Sequence, residues 1–325
     1  MNPMIKPSLV AAAAAVLMAS AAHAAKVELV YSDTVPETDV RSQLLHTEFG
    51  GCLGDGFDFK PYHGATLFKQ GTELTAMQRG NLDMANLAIF DFYNQVPATT
   101  VLGTAYLFRD YAHARKVYDG GVLNGLFAEV ESKAKVRILA NPYIGTRQLN
   151  VRTEKPIMTP ADMAGIKLRM PGGEGWQFVG KAMGANPTPM AFTEVYTALQ
   201  TGAIDGQDNP LPADKSMKFY EVTKQIVLTG HLIATNQFTI SSKKWNSMDQ
   251  AQQAKVKQCA VQFQNALDKV TLKQEAELVD FFKNAGLKVY EPNKKAFRDH
   301  VLTEYKNSKY SEQWPAGLLD KISAE

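Results

Sequence analysis

The sequence predicts an α/β protein divided into two lobes, and three observations predict it. Short β-rich runs alternate with helical ones from Lys26 onward, the order that builds parallel sheets with crossover helices. At 325 residues the chain exceeds what one hydrophobic core normally organises, so two domains are expected. From 248 to 285 a helical pattern runs without proline or glycine, long enough to be two helices or one that crosses between domains.

Each element follows from local pattern. The segment 26–32 (KVELVYS) alternates and is rich in valine, which reads as a strand. At 38–49 apolar residues recur at helical spacing behind Thr38 as a cap, and the glycines of GGCLGDG then stop the helix. A second strand is expected at 57–62, a helix at 71–82 and a buried strand at 83–89. Further strands fall at 136–140, 147–152 and 166–170, the last ended by Pro171 and two glycines. A helix follows over 173–183, then another from Phe192 to Gln200 with Thr193 as cap and Glu194 in its first turn. A short strand and turn at 203–206, strands at 225–229 and 237–241, the long helix, a strand at 287–290 and closing helices complete the chain.

Composition bounds the function. The chain is 45% hydrophobic, 21% charged and 10% aromatic, as expected of a globular protein and not of a disordered or fibrous one. Lys plus Arg number 35 against 33 Asp plus Glu, with no run of like charge, so nucleic acid and membrane surfaces are not expected partners. Residues 1–24 read as a secretory signal peptide: Lys6, an apolar run from Leu9 to Ala22, then Ala22-His23-Ala24 as the cleavage site. Cleavage after Ala24 would release an exported chain, which makes the periplasm the expected location.

The motifs of catalysis fail. There is no G-x-S-x-G elbow, no H-E-x-x-H and no phosphate loop, and the six histidines are scattered with no pair at metal-ligand spacing. Neither an enzyme, a metal site nor a cofactor is therefore expected. Asp205 and Asp208 lie in a turn-rich stretch, where aspartate most often bonds backbone. Cys52 and Cys259 are the only cysteines, and from spacing alone they are either a disulfide or two buried thiols. Arg147 and Arg169 stand at strand ends, where a guanidinium fork can grip a carboxylate or sulfonate; local sequence alone leaves open that both are solvated surface arginines.

The stretch LRMPGGEGWQFVGKAMGANPTPMAFTEVYTALQTGAIDGQDNPL (168–211) resembles the signature of the DctP-type substrate-binding proteins of TRAP (tripartite ATP-independent periplasmic) transporters. The stretches GTRQ, GTELTAMQRGNLDMA and MKFYEVTKQIVLTGH match the same family, so the resemblance covers essentially the whole chain after the leader. It implies a two-lobed Venus flytrap with hinge strands and a long helix underlying both lobes. Lobe one would hold 25–144 plus 235–274, and lobe two 145–234 plus 275–325. By this mapping both cysteines fall in lobe one, which favours a bond between Cys52 and Cys259.

The resemblance also implies roles. Arg169, in the LR-x-P motif, would make the salt bridge to a ligand carboxylate, and Arg147 would contact the same anion or another ligand oxygen. Asn209 would bond the acid group or backbone nearby, and Phe192 would line the pocket. Trp176 is either a lid or core packing; Gln207 and Glu194 orient the pocket more than they touch ligand. Tyr31, Asp33, Asn86 and Phe90 are lobe-one candidates because they end strands that face the cleft. GTRQ and PTPMAF resemble the sialic-acid-binding members in particular. Those members carry an acidic residue after the NLDMA-like strand, where this chain reads Asn86-Leu87-Ala88-Ile89, which argues against sialic acid. The implied partners are a small organic acid, with sugar acids or other hydroxylated acids favoured, and the small and large subunits of a sodium-driven TRAP permease. A monomer is expected. The alternatives are a receptor for an ATP-driven importer and, more remotely, an exported enzyme acting on an organic acid.

Overall fold

The computed structural model describes residues 26–325, so the expected leader lies outside the described residues. Eleven strands among the described residues form two sheets. In chain order they are β1 (Val27–Ser32), β2 (Phe57–Tyr62), β3 (Met84–Leu87), β4 (Val136–Ala140), β5 (Tyr143–Val151), β6 (Lys167–Met170), β7 (Asn186–Pro189), β8 (Gly206–Pro210), β9 (Gln225–Thr235), β10 (Gln237–Ser241) and β11 (Lys288–Tyr290). The first sheet runs β2-β1-β3-β10-β4 and the second β11-β9-β5-β8-β6-β7.

Neither sheet is purely parallel, which corrects the expectation from strand–helix alternation. β1 is parallel to β2 and β3, and β6 to β7 and β8, as crossover helices dictate. But β10 pairs antiparallel with β3 and β4, and β5 antiparallel with β8 and β9. The reason is connectivity. The chain leaves the first sheet through Asn141-Pro142 and returns through Asn236 alone, with no helix to reverse its direction. The two crossings are tied to each other by the Asn236 N–H, which donates to the Pro142 carbonyl at 3.1 Å.

The pattern at 248–285 resolves into one helix, Gln250–Asn284, of 35 residues. It spans roughly 50 Å at 1.5 Å per residue. Asp249 and Gln252 cap its start reciprocally, at 2.8 and 3.0 Å. Val256, Cys259, Phe263 and Leu267 bury against the first sheet, while Leu278 and Phe282 bury with Ile226 of the second. Between these apolar patches lies a polar stripe at helical spacing. Gln264 accepts from the Asn141 N–H, Asp268 from the Tyr143 N–H (each 2.7 Å), and Glu275 from the Thr146 N–H. The stripe satisfies backbone N–H groups at the crossing, Asn141, and in the first half of β5, Tyr143 and Thr146.

Several local expectations shift. Asp39, not Thr38, caps the first helix, accepting from the Arg41 N–H at 2.9 Å. That helix does not stop at Gly50-Gly51; it continues through a π turn (Leu45–Gly50) to Leu53 and ends at Gly54, whose φ is 74°. At Gly50 a Cβ would lie 3.2 Å from the Phe59 ring, a tight contact that the ring would have to yield to. Thr193 caps nothing, because 192–194 is a 3₁₀ turn preceding the helix Val195–Thr201. The strand expected at 203–206 lies at Gly206–Pro210, and that at 225–229 runs on to Thr235.

The sulfur atoms of Cys52 and Cys259 are bonded, joining the end of the first helical segment to the long helix with Cα atoms 5.5 Å apart. Among the described residues no helix is long and apolar enough to cross a membrane.

Candidate functional site

The two sheets face each other across a cavity of about 420 Å³. Of the residues singled out from sequence, Asp33, Asn86 and Phe90 line it from the first sheet, and Arg147, Arg169, Trp176, Phe192 and Asn209 from the second.

Arg169 stands on β6 near its carboxyl end and is the largest fully buried side chain among the described residues, 1% exposed. Its Nε donates to the Met190 carbonyl (2.9 Å) and its Nη2 to Gln70 Oε1 (3.0 Å), while its carbon lies 5.7 Å from the Phe192 ring centre. Neither hydrogen-bond acceptor is charged. Burial, then the cation of Arg147, pushes its pKa down to about 9, so it stays charged at neutral pH and lacks a carboxylate partner among the described residues. A buried cation of this kind is costly until an anion joins it.

Arg147, on β5, differs in being already paired. Its Nε and Nη2 grip Asp208 Oδ2 and Oδ1 at 2.7 and 3.0 Å, Nη2 also donates to the Asp208 carbonyl, and its guanidinium carbon lies 4.7 Å from the Trp176 ring centre. Asp208 Oδ2, besides accepting from Arg147 Nε, lies 3.0 Å from His231 Nε2. Burial alone would raise the Asp208 pKa, but Arg147 and His231 outweigh it and hold the carboxylate well below its usual range. Asp208 was expected to bond backbone in a turn; it is instead a strand residue that fixes Arg147. Asp205 does bond backbone, accepting from the Lys167 N–H at 2.9 Å. Asp208→Ala would strand Arg147 without its counter-charge. Removing one member of a buried ion pair costs about 3–5 kcal/mol, so a large fall in the urea midpoint is expected, and an unchanged midpoint would contradict the pairing.

Asn209 Nδ2 donates to Gln207, whose Nε2 donates in turn to Asp214 Oδ1 at 2.7 Å. Gln207 is wholly buried and does not line the cavity; it steadies Asn209 from behind. Tyr31 is also displaced from the expected lining, since its ring packs in the core of the first sheet and its hydroxyl donates to Asp33 at 3.0 Å. Glu194 lies outside the lining as well. Trp176 is both wall and packing: it lines the cavity and meets Phe90 edge-to-face at 4.8 Å. Phe90 is wedged so tightly between Gly175 and Gly103 that a Cβ on either would come within 2.3 Å of its ring. Those glycines let the first-sheet aromatic reach across to the second.

Sequence reasoning missed the polar wall opposite the arginines. Gln70 Oε1 accepts from both Arg169 and the Phe192 N–H (2.8 Å), bridging the two sides of the cleft. Glu73, Asp91, Asn94 and Gln95 line the same wall. Asp91, in the turn that follows Asn86-Leu87-Ala88-Ile89, brings a carboxylate to this wall and caps its own turn, Oδ2 accepting from the Ala88 N–H at 2.8 Å. Asn86 Oδ1 and Gln95 Oε1 are buried without a hydrogen-bond partner among the described residues, acceptors suited to ligand hydroxyls. No motif marks these positions; only helical phasing of 71–82 would have turned Glu73 inward.

Burial, then Asp91, pushes the Glu73 pKa up to about 7, and burial pushes Asp91 up to about 6. The sign follows. Between the ordinary glutamate value and 7 the folded chain holds a proton that the unfolded chain has released, so stability falls as pH rises through that window. Neutral carboxyls also repel an incoming anion less. An anionic ligand is therefore expected to bind more tightly at pH 6 than at pH 8, and Glu73→Gln to flatten the difference; titration calorimetry at the two pH values checks it.

The family model of the bacterial extracellular solute-binding proteins, family 7 (DctP), matches residues 42–312. A crystal structure of a TRAP periplasmic solute-binding protein from Roseobacter denitrificans with bound 3-deoxy-D-manno-oct-2-ulosonic acid is 40% identical, with a TM-score of 0.90 over 92% of this chain and 99% of that one. A second from the same species, with bound L-galactonate, is 27% identical with a TM-score of 0.83, covering 91% and 97%. The sialic acid-binding periplasmic protein SiaP of Vibrio cholerae is 33% identical over 75% of this chain and 76% of its own.

Proposed function

Because the chain belongs to the DctP family of extracellular solute-binding proteins, we propose that it is an extracytoplasmic receptor that captures a small hydroxylated organic acid and hands it to a TRAP-type permease. Arg169 carries the reading: a buried guanidinium without a carboxylate partner, facing a cavity, is completed by a ligand anion. The acid end sits at Arg169, with the remaining donors of Arg147 and with Asn209 beside it. Asn86, Gln95, Glu73 and Asp91 accept hydrogen bonds from hydroxyls at the far end. A short dicarboxylate would set a second negative charge beside Glu73 and Asp91, and Arg41, a cation lining the same side, is already gripped by Asp39 at 2.7 and 2.8 Å, so a polyhydroxylated monocarboxylate fits the charge distribution better. Similarity to proteins holding octulosonic acid and galactonate supports the same class.

Ligand contacts from both sides favour the closed arrangement of the lobes, 25–144 plus 235–274 against 145–234 plus 275–325, hinged at Asn141-Pro142 and Asn236. The protein performs no chemistry on the acid; it is exported by cleavage after Ala24 and acts as a monomer beside the small and large permease subunits. The test is a thermal-shift screen of sugar acids, sialic acid, C4-dicarboxylates and sulfonates, because a ligand bound only to the folded state raises the melting temperature. A hydroxylated monocarboxylate giving the largest shift is expected. Shifts from dicarboxylates alone would overturn the class, and turnover of a bound acid would overturn the receptor reading.

A further inference from the structure

We propose that His46 and His63 form a transition-metal site beside the cleft, binding Zn²⁺ through their two Nε2 atoms. The histidines are 17 positions apart and show no metal-ligand spacing in sequence, yet the π turn and the loop after β2 bring their Nε2 atoms to 3.1 Å. Two imidazole nitrogens each about 2.0–2.1 Å from one ion are separated by roughly 2.9 Å in octahedral and 3.3 Å in tetrahedral geometry, and the observed spacing lies between.

A carboxylate stands behind one of the two imidazoles. His63 is held at Nδ1 by both oxygens of Asp33, each at 3.1 Å, with its side chain 7% exposed. A carboxylate on the far nitrogen fixes the ring and its tautomer and leaves the Nε2 lone pair free, the arrangement found behind metal-bound histidines. Tyr31 holds Asp33 in turn, its hydroxyl donating to Oδ2 at 3.0 Å. His46 is exposed, so an ion can enter from solvent and keep water in its remaining positions. Among the described residues no third His, Cys, Asp or Glu completes the set, so the site is a two-imidazole clamp and not a closed structural centre. The other described histidines offer less. His113 is engaged at both ring nitrogens, by the Arg109 N–H and the Ile322 carbonyl, and His231 by Thr229 and Asp208. Imidazole pairs suit zinc, nickel and copper over magnesium or calcium.

The alternative is that the pair is only a hydrogen bond, with His46 donating to His63. Calorimetric titration of the purified protein with ZnCl₂ in a non-chelating buffer separates the two. Stoichiometric uptake is expected. His46→Ala, an exposed change that leaves the fold intact by circular dichroism, should weaken uptake tenfold or more, as should His63→Ala. Asp33→Asn should weaken it roughly 10–100-fold, while His300→Ala should leave it unchanged. No stoichiometric uptake by the native chain, or full uptake by His46→Ala, would overturn the site.

Discussion

Arg169→Ala is expected to weaken binding of the acid by about 2–5 kcal/mol, roughly 30- to 5,000-fold, without unfolding the protein. The two halves of this expectation have different origins. The loss of affinity arises because the ligand carboxylate would enter a buried site stripped of its counter-charge. The retained fold follows because Arg169 pairs with no carboxylate among the described residues: its bonds go to the Met190 carbonyl and to Gln70. Truncation therefore breaks no ion pair and removes a desolvated cation, so the unliganded melting temperature should hold or rise, and Arg169→Met should raise it more by refilling the space. Arg147 reverses the pattern, since Asp208 already occupies two of its donors. Its removal should weaken stability more and binding less than removal of Arg169. Calorimetry and melting curves on both variants measure the contrast. Near wild-type affinity in Arg169→Ala would end the salt-bridge assignment.

This division of labour between two arginines shows what the chain makes legible and what it hides. The family signature put Arg147, Arg169, Asn209 and Phe192 in one place, and strand-end positions did the same for Asp33, Asn86 and Phe90. All but Arg147, which falls midway along β5 because that strand starts at Tyr143, sit at or beside an element end, which local pattern locates well. Tyr31 and Gln207 fell outside the lining because a strand position says which face a side chain takes, not whether that face meets the cleft or the core behind it. Asp208 looked like a turn aspartate because Gly206 and Pro210 flank it, and its role depends on a partner 61 positions away on β5. The long helix was readable from missing breakers, but its polar stripe has meaning only against crossing strands that lie more than a hundred positions earlier. The antiparallel pairings were hidden for a similar reason: two very short crossings, not the alternation of strand and helix, decide strand direction there.

The disulfide supplies the second large expected effect. Cys52 and Cys259 are 207 positions apart, so their bond closes a loop that contains the second sheet's strands β5 to β9. Chain-entropy reasoning assigns roughly 5 kcal/mol to a loop of this length, and the measured range for native bonds is about 2–5 kcal/mol. The Cys52→Ser/Cys259→Ser pair is expected to lose stability within that range, with a further small penalty because Cys259 is fully buried and a hydroxyl there would need a partner. The effect should stay out of the binding site. The bond joins two helices on the core side of the first sheet, and neither cysteine lines the cavity. The double variant should therefore keep the affinity of the native chain at a temperature where both are folded, while its urea midpoint falls. Adding reductant to the native chain should reproduce the fall. A thiol count on unfolded, unreduced protein provides the direct check: two titratable thiols would mean that the bond does not form, and the long helix would then be held to the first sheet by non-covalent contacts, the packing of Val256, Ala260, Phe263 and Leu267 and the bonds of Lys257 and Gln264 to backbone at Leu139 and Asn141.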